Sequence, residues 1–201
     1  HMGTGNYNAS TARIYTDLSM FTCDPDIGAD IADLFNALTG YSKKTSYRKL
    51  LVAHGTMGTM RKEIIARIDR EIERQKTHGD GYLAFKLNAL VDEACIVALY
   101  RASQAGVKID LVVRGVCCLR PEVPGVSDNI RVISIVGRFL EHTRIYYFRN
   151  GGDEEVLLGS ADLMPRNLSR RVEILFPVEN PHLRDMIINT ILKTHIKDTA
   201  Q

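Results

Sequence analysis

The chain has 201 residues, 45% of them apolar and 25% charged, which is the balance of a packed globular protein and excludes a low-complexity chain. No apolar run reaches the roughly 18 residues that a membrane span needs, and no stretch reads as a signal peptide. The net charge of +2 says little by itself. His1-Met2 reads as an expression remnant and is set aside.

In chain order, 12–21 ("ARIYTDLSMF") predicts a strand in which Ile14, Thr16 and Leu18 alternate with Tyr15, Asp17 and Ser19. Residues 26–40 predict a helix with Ile27, Ile31, Leu34 and Leu38 on one face and Gly40 at its end. The polar, basic stretch 41–49 predicts a linker. "LLVAHG" (50–55) opens a buried strand, and a long amphipathic helix follows from Met57 to Gln75, with Ile64, Ile65, Ile68 and Ile72 as its apolar stripe. "HGDG" is a turn, 82–88 a strand, 91–106 a helix stopped by Gly106, and 107–115 another strand. This strand–helix alternation predicts parallel pairing through crossover helices. Residues 130–137 predict a further strand. Then "HTRIYYF" and "EVLLGSA" flank Asn150-Gly151-Gly152, a hairpin signal. Residues 171–178 form the last strand, and 180–195 a closing helix with Asn180 as cap and Pro181 at its first position. The expectation is α/β: a mixed sheet flanked by helices, complete over 50–201. A strand–helix piece over 1–49 precedes it and has no core of its own.

Cys23, Cys95, Cys117 and Cys118 form no C-x-x-C pair and lie at no zinc-ligand spacing from a histidine, so reduced cytosolic thiols and no metal site are expected. Arginines are concentrated late in the chain. Arg114, Arg120, Arg131, Arg138, Arg144 and Arg149 fall between Leu111 and Asn150 without one lysine, and Arg166, Arg170 and Arg171 follow. The guanidinium fork suits phosphate oxygens.

A repeat carries the most information. "GTGNYNASTARIYTD" (3–17) and "GSADLMPRNLSRRVE" (159–173) each open with Gly and a hydroxyl residue, Thr4 or Ser160. Asn6 and Asp162 follow at the same spacing, as do the carboxylates Asp17 and Glu173. The second copy is preceded by His142 and Arg144, which on a strand project to one face. The Gly-Ser turn lets backbone approach an anion, and a carboxylate can hold the second nitrogen of a histidine. Glu173 is the candidate for that orienting role, in trans if a two-fold axis relates the copies.

This layout resembles the phospholipase D superfamily, which uses H-x-K, G-S-x-N and a later acid twice, in facing pseudo-symmetric domains. The resemblance implies that 1–49 is the tail of the first such domain and 50–201 the second. The usual lysine is Arg144, the acid expected seven residues after the histidine is Arg149, and the usual asparagine is Asp162. These departures point away from ordinary phosphodiester hydrolysis. The strings "GTGNYN", "TARIYTDLSMFT", "LVVRGVCCLRP", "SDNIRVISIVGRFLEHTRIYYFRNGG" and "GSADLMPRNLSRRVE" resemble bacterial polyphosphate kinases nearly end to end.

That resemblance implies a cytoplasmic, homo-oligomeric ATP:polyphosphate phosphotransferase working through a phosphohistidine upstream of Gly3, with ATP/ADP and polyphosphate as substrates. It implies Mg2+ held by upstream arginines, so that no complete metal site lies in this chain, and no specific nucleic acid. Tyr15, Arg114 and His142 match the family's nucleotide-contacting residues, and Thr4, Asn6, Ser160 and Asp162 its phosphate turns. His142, Arg144 and Glu173 carry the catalytic pattern, and the piece alone is expected to be inactive. Lys86 and Asn88 end a strand from which both could reach the same cleft. His54, His78, His182 and His195 are expected to be structural. A phosphodiesterase of the same superfamily and a non-catalytic polyanion-binding module are the alternatives.

Overall fold

The computed structural model describes residues 1–41, 46–55 and 58–198. Part of the expected linker lies outside them, as do Met57, expected to begin the long helix, and the side chain of His54. The elements are β1 (Met2–Gly3), β2 (Tyr15–Thr16), β3 (Ser19–Met20), α1 (Pro25–Leu38), β4 (Leu51–His54), α2 (Met60–His78), β5 (Tyr82–Leu87), α3 (Glu93–Gln104) and β6 (Lys108–Val113). Then come β7 (Ile130–Ile133), β8 (Leu140–Glu141), β9 (Arg144–Phe148), β10 (Glu155–Gly159), α4 (Pro165–Ser169), β11 (Val172–Pro177), α5 (Pro181–Met186) and α6 (Lys193–Lys197). A π-helical turn, Ile187–Leu192, joins α5 to α6.

The caps follow the sequence. Asp24 accepts from the amides of Asp26 and Ile27 at the start of α1, and Asp92 accepts from Cys95 N at the start of α3. Asn180 accepts from Leu183 N ahead of Pro181. Gly79 ends α2 in the left-handed conformation, at φ 71°.

Seven strands make one mixed sheet in the order β4-β11-β10-β9-β5-β6-β7. The β5–β6 and β6–β7 pairs are parallel, as the strand–helix alternation predicts. β4 runs in the same direction as β5 but does not pair with it. It lies at the far edge, antiparallel to β11. The strand expected over 12–21 is broken into a 3-10 turn at Thr11–Arg13, then β2 and β3. Its two ends have different partners, β8 for Tyr15–Thr16 and β1 for Ser19–Met20, so the chain must bend between them. The β9–β10 hairpin turns through 149–154 rather than two residues, with positive φ at Asn150, Gly151 and Gly152.

Alternation along the strands divides the core between the two sheet faces. Leu83, Phe85 and Leu87 of β5 face α2 and α3 with Ile64, Ile68 and Leu99. Ala84, Ile145, Tyr147 and Phe176 face the other way, where Ile27 and Leu34 of α1 and Ile188 and Leu192 of the closing helix complete a second cluster. The segment before residue 50 thus packs its apolar side into a core it shares with the sheet.

The repeat is also visible in the backbone. β1 pairs with β3 in the register Met2↔Met20 and Gly3↔Ser19. β10 pairs with β11 in the register Leu158↔Phe176 and Gly159↔Leu175, the same pairs moved by 156 residues. The surroundings of the two glycines differ. A Cβ on Gly159 would lie 2.0 Å from Ile174 O, whereas one on Gly3 would sit 3.4 Å from Leu18 O. Gly159→Ala should therefore cost about 1–3 kcal/mol or more in chemical unfolding. Gly3→Ala should stay within about 0.5 kcal/mol. Equal losses would show that the tight contact is not what makes Gly159 necessary.

Candidate functional site

β2 and β8 form a short parallel pair, Tyr15↔Leu140 and Thr16↔Glu141, that carries the first repeat to the doorstep of His142. His142 N donates to Thr16 O at 3.2 Å. Tyr15 and Asp17 flank Thr16 and share a face. The Tyr15 ring lies 4.6 Å from the His142 ring, centroid to centroid. Both carboxylate oxygens of Asp17 lie 3.0 and 3.1 Å from His142 Nδ1. Thr4, fully buried, donates its hydroxyl to Asp17 at 2.7 Å and takes Leu18 N at 3.0 Å. Burial would raise the Asp17 carboxyl, but the hydrogen bonds from His142 and Thr4 and the charges of His142 and Arg144 outweigh it and hold it below its ordinary value.

Arg144 and Asp162 form a buried pair, 8% and 5% exposed, with Nη2 3.0 Å from Oδ2. Asp162 also accepts from Asn88 N at 2.7 Å and Ala89 N at 3.3 Å. Arg144 Nη1 donates to Thr4 O and His142 O, at 3.2 and 2.9 Å. It lies 3.1 and 3.0 Å from the two His142 ring nitrogens, so it sits over the ring rather than in its plane. His142 and Arg144 do project together. Two of the three departures noted in the sequence, Arg144 and Asp162, are partners of each other.

The end of β5 supports this segment from behind. Lys86 is buried, donates to Thr143 O at 3.0 Å and pairs with Glu141 at 3.2 Å. Burial pulls its ammonium below the ordinary lysine value, against the attraction of Glu141. His195 approaches the same Glu141 at 3.8 Å from α6. Asn88 donates to His142 O at 3.1 Å and accepts from Arg114 Nε at 2.8 Å. The Arg114 guanidinium lies 5.7 Å from the centre of the Tyr15 ring, which also neighbours the His142 ring.

Glu173 does not reach His142; Asp17 holds that position. Glu173 instead takes the Ser160 hydroxyl and, at 2.6 Å, Asn167 Nδ2. Ser160 N donates to Ile174 O just as Thr4 N donates to Leu18 O, so Thr4–Asp17 and Ser160–Glu173 are the same unit built twice. Asn6 is exposed and lines a cavity of about 270 Å³ with Gly5, Tyr15 and Asp17. Every carboxylate of the site is taken up by a histidine, an arginine or hydrogen-bond donors. These residues do not fit a magnesium ion, and no group of three or more His, Cys, Asp or Glu among the described residues could hold a metal.

Among the other arginines, Arg131 pairs with Asp110 at 2.8 Å, Arg138 lies over Phe139, and Arg149, Arg166, Arg170 and Arg171 are exposed. The four cysteines are free thiols. The sequence reading missed Asp17 as the partner of His142, and Asn167 altogether. The equal spacing of Asp17 and Glu173 was the available signal for the first; the second had none.

A buried arginine–aspartate pair beneath a histidine, and a hydroxyl–carboxylate unit built twice, define a duplicated α/β site. Two family models cover the chain: polyphosphate kinase C-terminal domain 1 matches residues 1–44, and C-terminal domain 2 matches 50–201. The chain belongs to the polyphosphate kinase family. It is similar to the polyphosphate kinases of Prosthecochloris aestuarii, 57% identical over 98% of this chain and 28% of that protein, and of Synechocystis, 55% identical over 100% and 27%. The solved polyphosphate kinase of Porphyromonas gingivalis superimposes with a TM-score of 0.93 at 47% identity, covering 99% of this chain and 30% of that one. The chain thus spans under a third of the length of the relatives it matches. No helix among the described residues is long and apolar enough to cross a membrane.

A carboxylate held below its ordinary value stabilises the fold above its unfolded pKa and loses that contribution as pH falls through its folded one. The unfolding midpoint of the chain should therefore exceed that of Asp17→Asn at neutral pH, and the gap should close below about pH 4. A gap that stays constant from pH 7 to pH 2 would show that the Asp17 charge is not its source.

Proposed function

We propose that this chain forms the nucleotide- and phosphate-contacting half of an ATP:polyphosphate phosphotransferase site. The observation that carries the reading is the asymmetry of the doubled unit: Asp17 holds His142, while among the described residues Ser160–Glu173 holds no histidine. On this reading Glu173 orients, in trans, a nucleophilic histidine carried by the domains upstream. That histidine forms a nitrogen–phosphorus bond to the terminal phosphate of ATP as the bond to the bridging oxygen of ADP breaks. The phosphoryl group then passes to a terminal oxygen of polyphosphate and frees the histidine; the reverse sequence makes ATP.

His142 stands opposite that nucleophile. With Nδ1 engaged by Asp17, Nε2 is the nitrogen that gives a proton to the departing oxygen and takes one back. Arg114 and Tyr15 receive the nucleotide, and Arg144, already committed to Asp162, supplies fixed positive charge beneath the ring. Magnesium, in this reading, is held by the upstream domains, and the enzyme works in the cytoplasm as a homo-oligomer. The nearest competing reading, a phosphodiesterase, is disfavoured by the Arg144–Asp162 pair, which locks the residue that would clamp a diester phosphate.

In the full-length enzyme, His142→Ala should cut polyphosphate synthesis by about 10²–10⁴-fold, the usual contribution of an acid–base group, with the fold intact. Turnover above a tenth of the parent's would make His142 peripheral. The chain itself, incubated with ATP labelled on the terminal phosphate, should take up no acid-labile label and extend no polymer. It should bind ATP or polyphosphate with an affinity that falls as salt rises. Acid-labile label on the chain would place a nucleophile within these residues and overturn the assignment of that role to an upstream histidine.

A further inference from the structure

Asn88 has no role in the reaction outlined above, yet all of its polar groups are engaged, and each engages a different part of the site. Its amide N–H donates to Asp162 at 2.7 Å, and its carbonyl accepts from Gly115 N at 2.9 Å. Its side-chain oxygen accepts from Arg114 Nε at 2.8 Å, and its side-chain nitrogen donates to His142 O at 3.1 Å. Only 8% of the residue is exposed, so water does not replace these bonds readily.

We propose that Asn88 is a positioning residue whose one carboxamide fixes the Arg114 guanidinium relative to the backbone of His142. The inference rests on the reading that Arg114 and His142 act on the nucleotide phosphates. Arg114 stands just past the end of β6, half-buried, on a long side chain with many rotamers. The bond to Asn88 takes Nε, the inner nitrogen of the guanidinium. Because that group is planar, holding Nε fixes the direction of both outer nitrogens before any ligand arrives. The other end of the carboxamide holds the peptide that carries His142. The two groups that would meet a phosphate chain, just past β6 and before β9, are thus kept at a set separation by a side chain just past β5, the strand between them.

The chemistry selects the residue type. A carboxamide donates from its nitrogen and accepts at its oxygen on one short side chain. Aspartate would keep the acceptor for Arg114 but turn an oxygen toward His142 O. Alanine would leave both Arg114 Nε and His142 O without this partner.

The test uses the full-length polyphosphate kinase containing this region, with Asn88→Ala, Asn88→Asp, Arg114→Ala and the Asn88→Ala/Arg114→Ala pair. Steady-state rates of polyphosphate synthesis are measured against ATP concentration, with a thermal unfolding curve for each variant. Asn88→Ala should lower kcat/KM for ATP by about tenfold or more, as loss of one charge-assisted hydrogen bond does. The double variant should lose less than the product of the two single losses, because part of the Asn88 effect passes through Arg114. Asn88→Asp should restore KM toward the parent while kcat stays low, since only the bond to Arg114 is retained. That split is not expected from a residue that merely supports the fold. Losses that multiply in full, or an Asn88→Ala enzyme with parental kinetics, would overturn the inference. Should Asn88→Ala fail to fold, the split in Asn88→Asp decides: a raised KM together with a lowered kcat would overturn it equally. Parental kinetics for Arg114→Ala would overturn the underlying reading of Arg114 instead.

Discussion

The buried pair of Arg144 and Asp162 is the constraint on which the rest of the site depends. Removing two charges from water is expensive, and their attraction offsets that cost only when the remaining donors and acceptors are also satisfied. Here they are. Asp162 takes two backbone amides at the end of β5, and Arg144 gives hydrogen bonds to Thr4 O and His142 O. One ion pair thus joins the second repeat, the end of β5, the histidine segment and the turn of the first repeat. Removing either partner would leave a charge stranded inside all four. The buried guanidinium at 144 thus meets a full negative charge at 162.

Around that pair the site is built by exchange between the repeats. The carboxylate of the first copy serves the histidine of the second, and the hydroxyl beside each carboxylate is fixed by the same two backbone bonds. The sheet contributes position. Lys86 at the end of β5 and Asn88 just past it, two residues apart, hold residues 141–143. The short β2–β8 pair supports the same residues from the side.

Much of this could be read from the chain. The repeat is legible because its chemistry is local: a glycine turn, a hydroxyl and an acid at fixed spacing dictate the same backbone twice. The start of the closing helix is legible for the same reason, since Asn180 caps through a bond that reaches only three residues; the Asp24 and Asp92 caps of the earlier helices were not read. What was not legible depends on tertiary pairing. Nothing local to β4 distinguishes a neighbour of β5 from a strand at the far edge, because both satisfy the same direction of travel. Asp17 and His142 are 125 residues apart, and only the pairing of β2 with β8 brings them together. Asn167 lies on a short helix whose sequence gives no sign that it faces Glu173.

The two-residue length of that β2–β8 pairing has a consequence for error. A strand presents alternate residues to alternate sides, so a slip by one position exchanges its faces completely. Slipped by one, β2 would bring Thr16 or Leu18 to the imidazole where Asp17 now stands, and would carry Tyr15 away in the same step. No misaligned register keeps half of the arrangement. The first repeat either seats correctly and delivers ring and carboxylate together, or delivers neither, so a pairing of two residues acts as an all-or-none check on assembly.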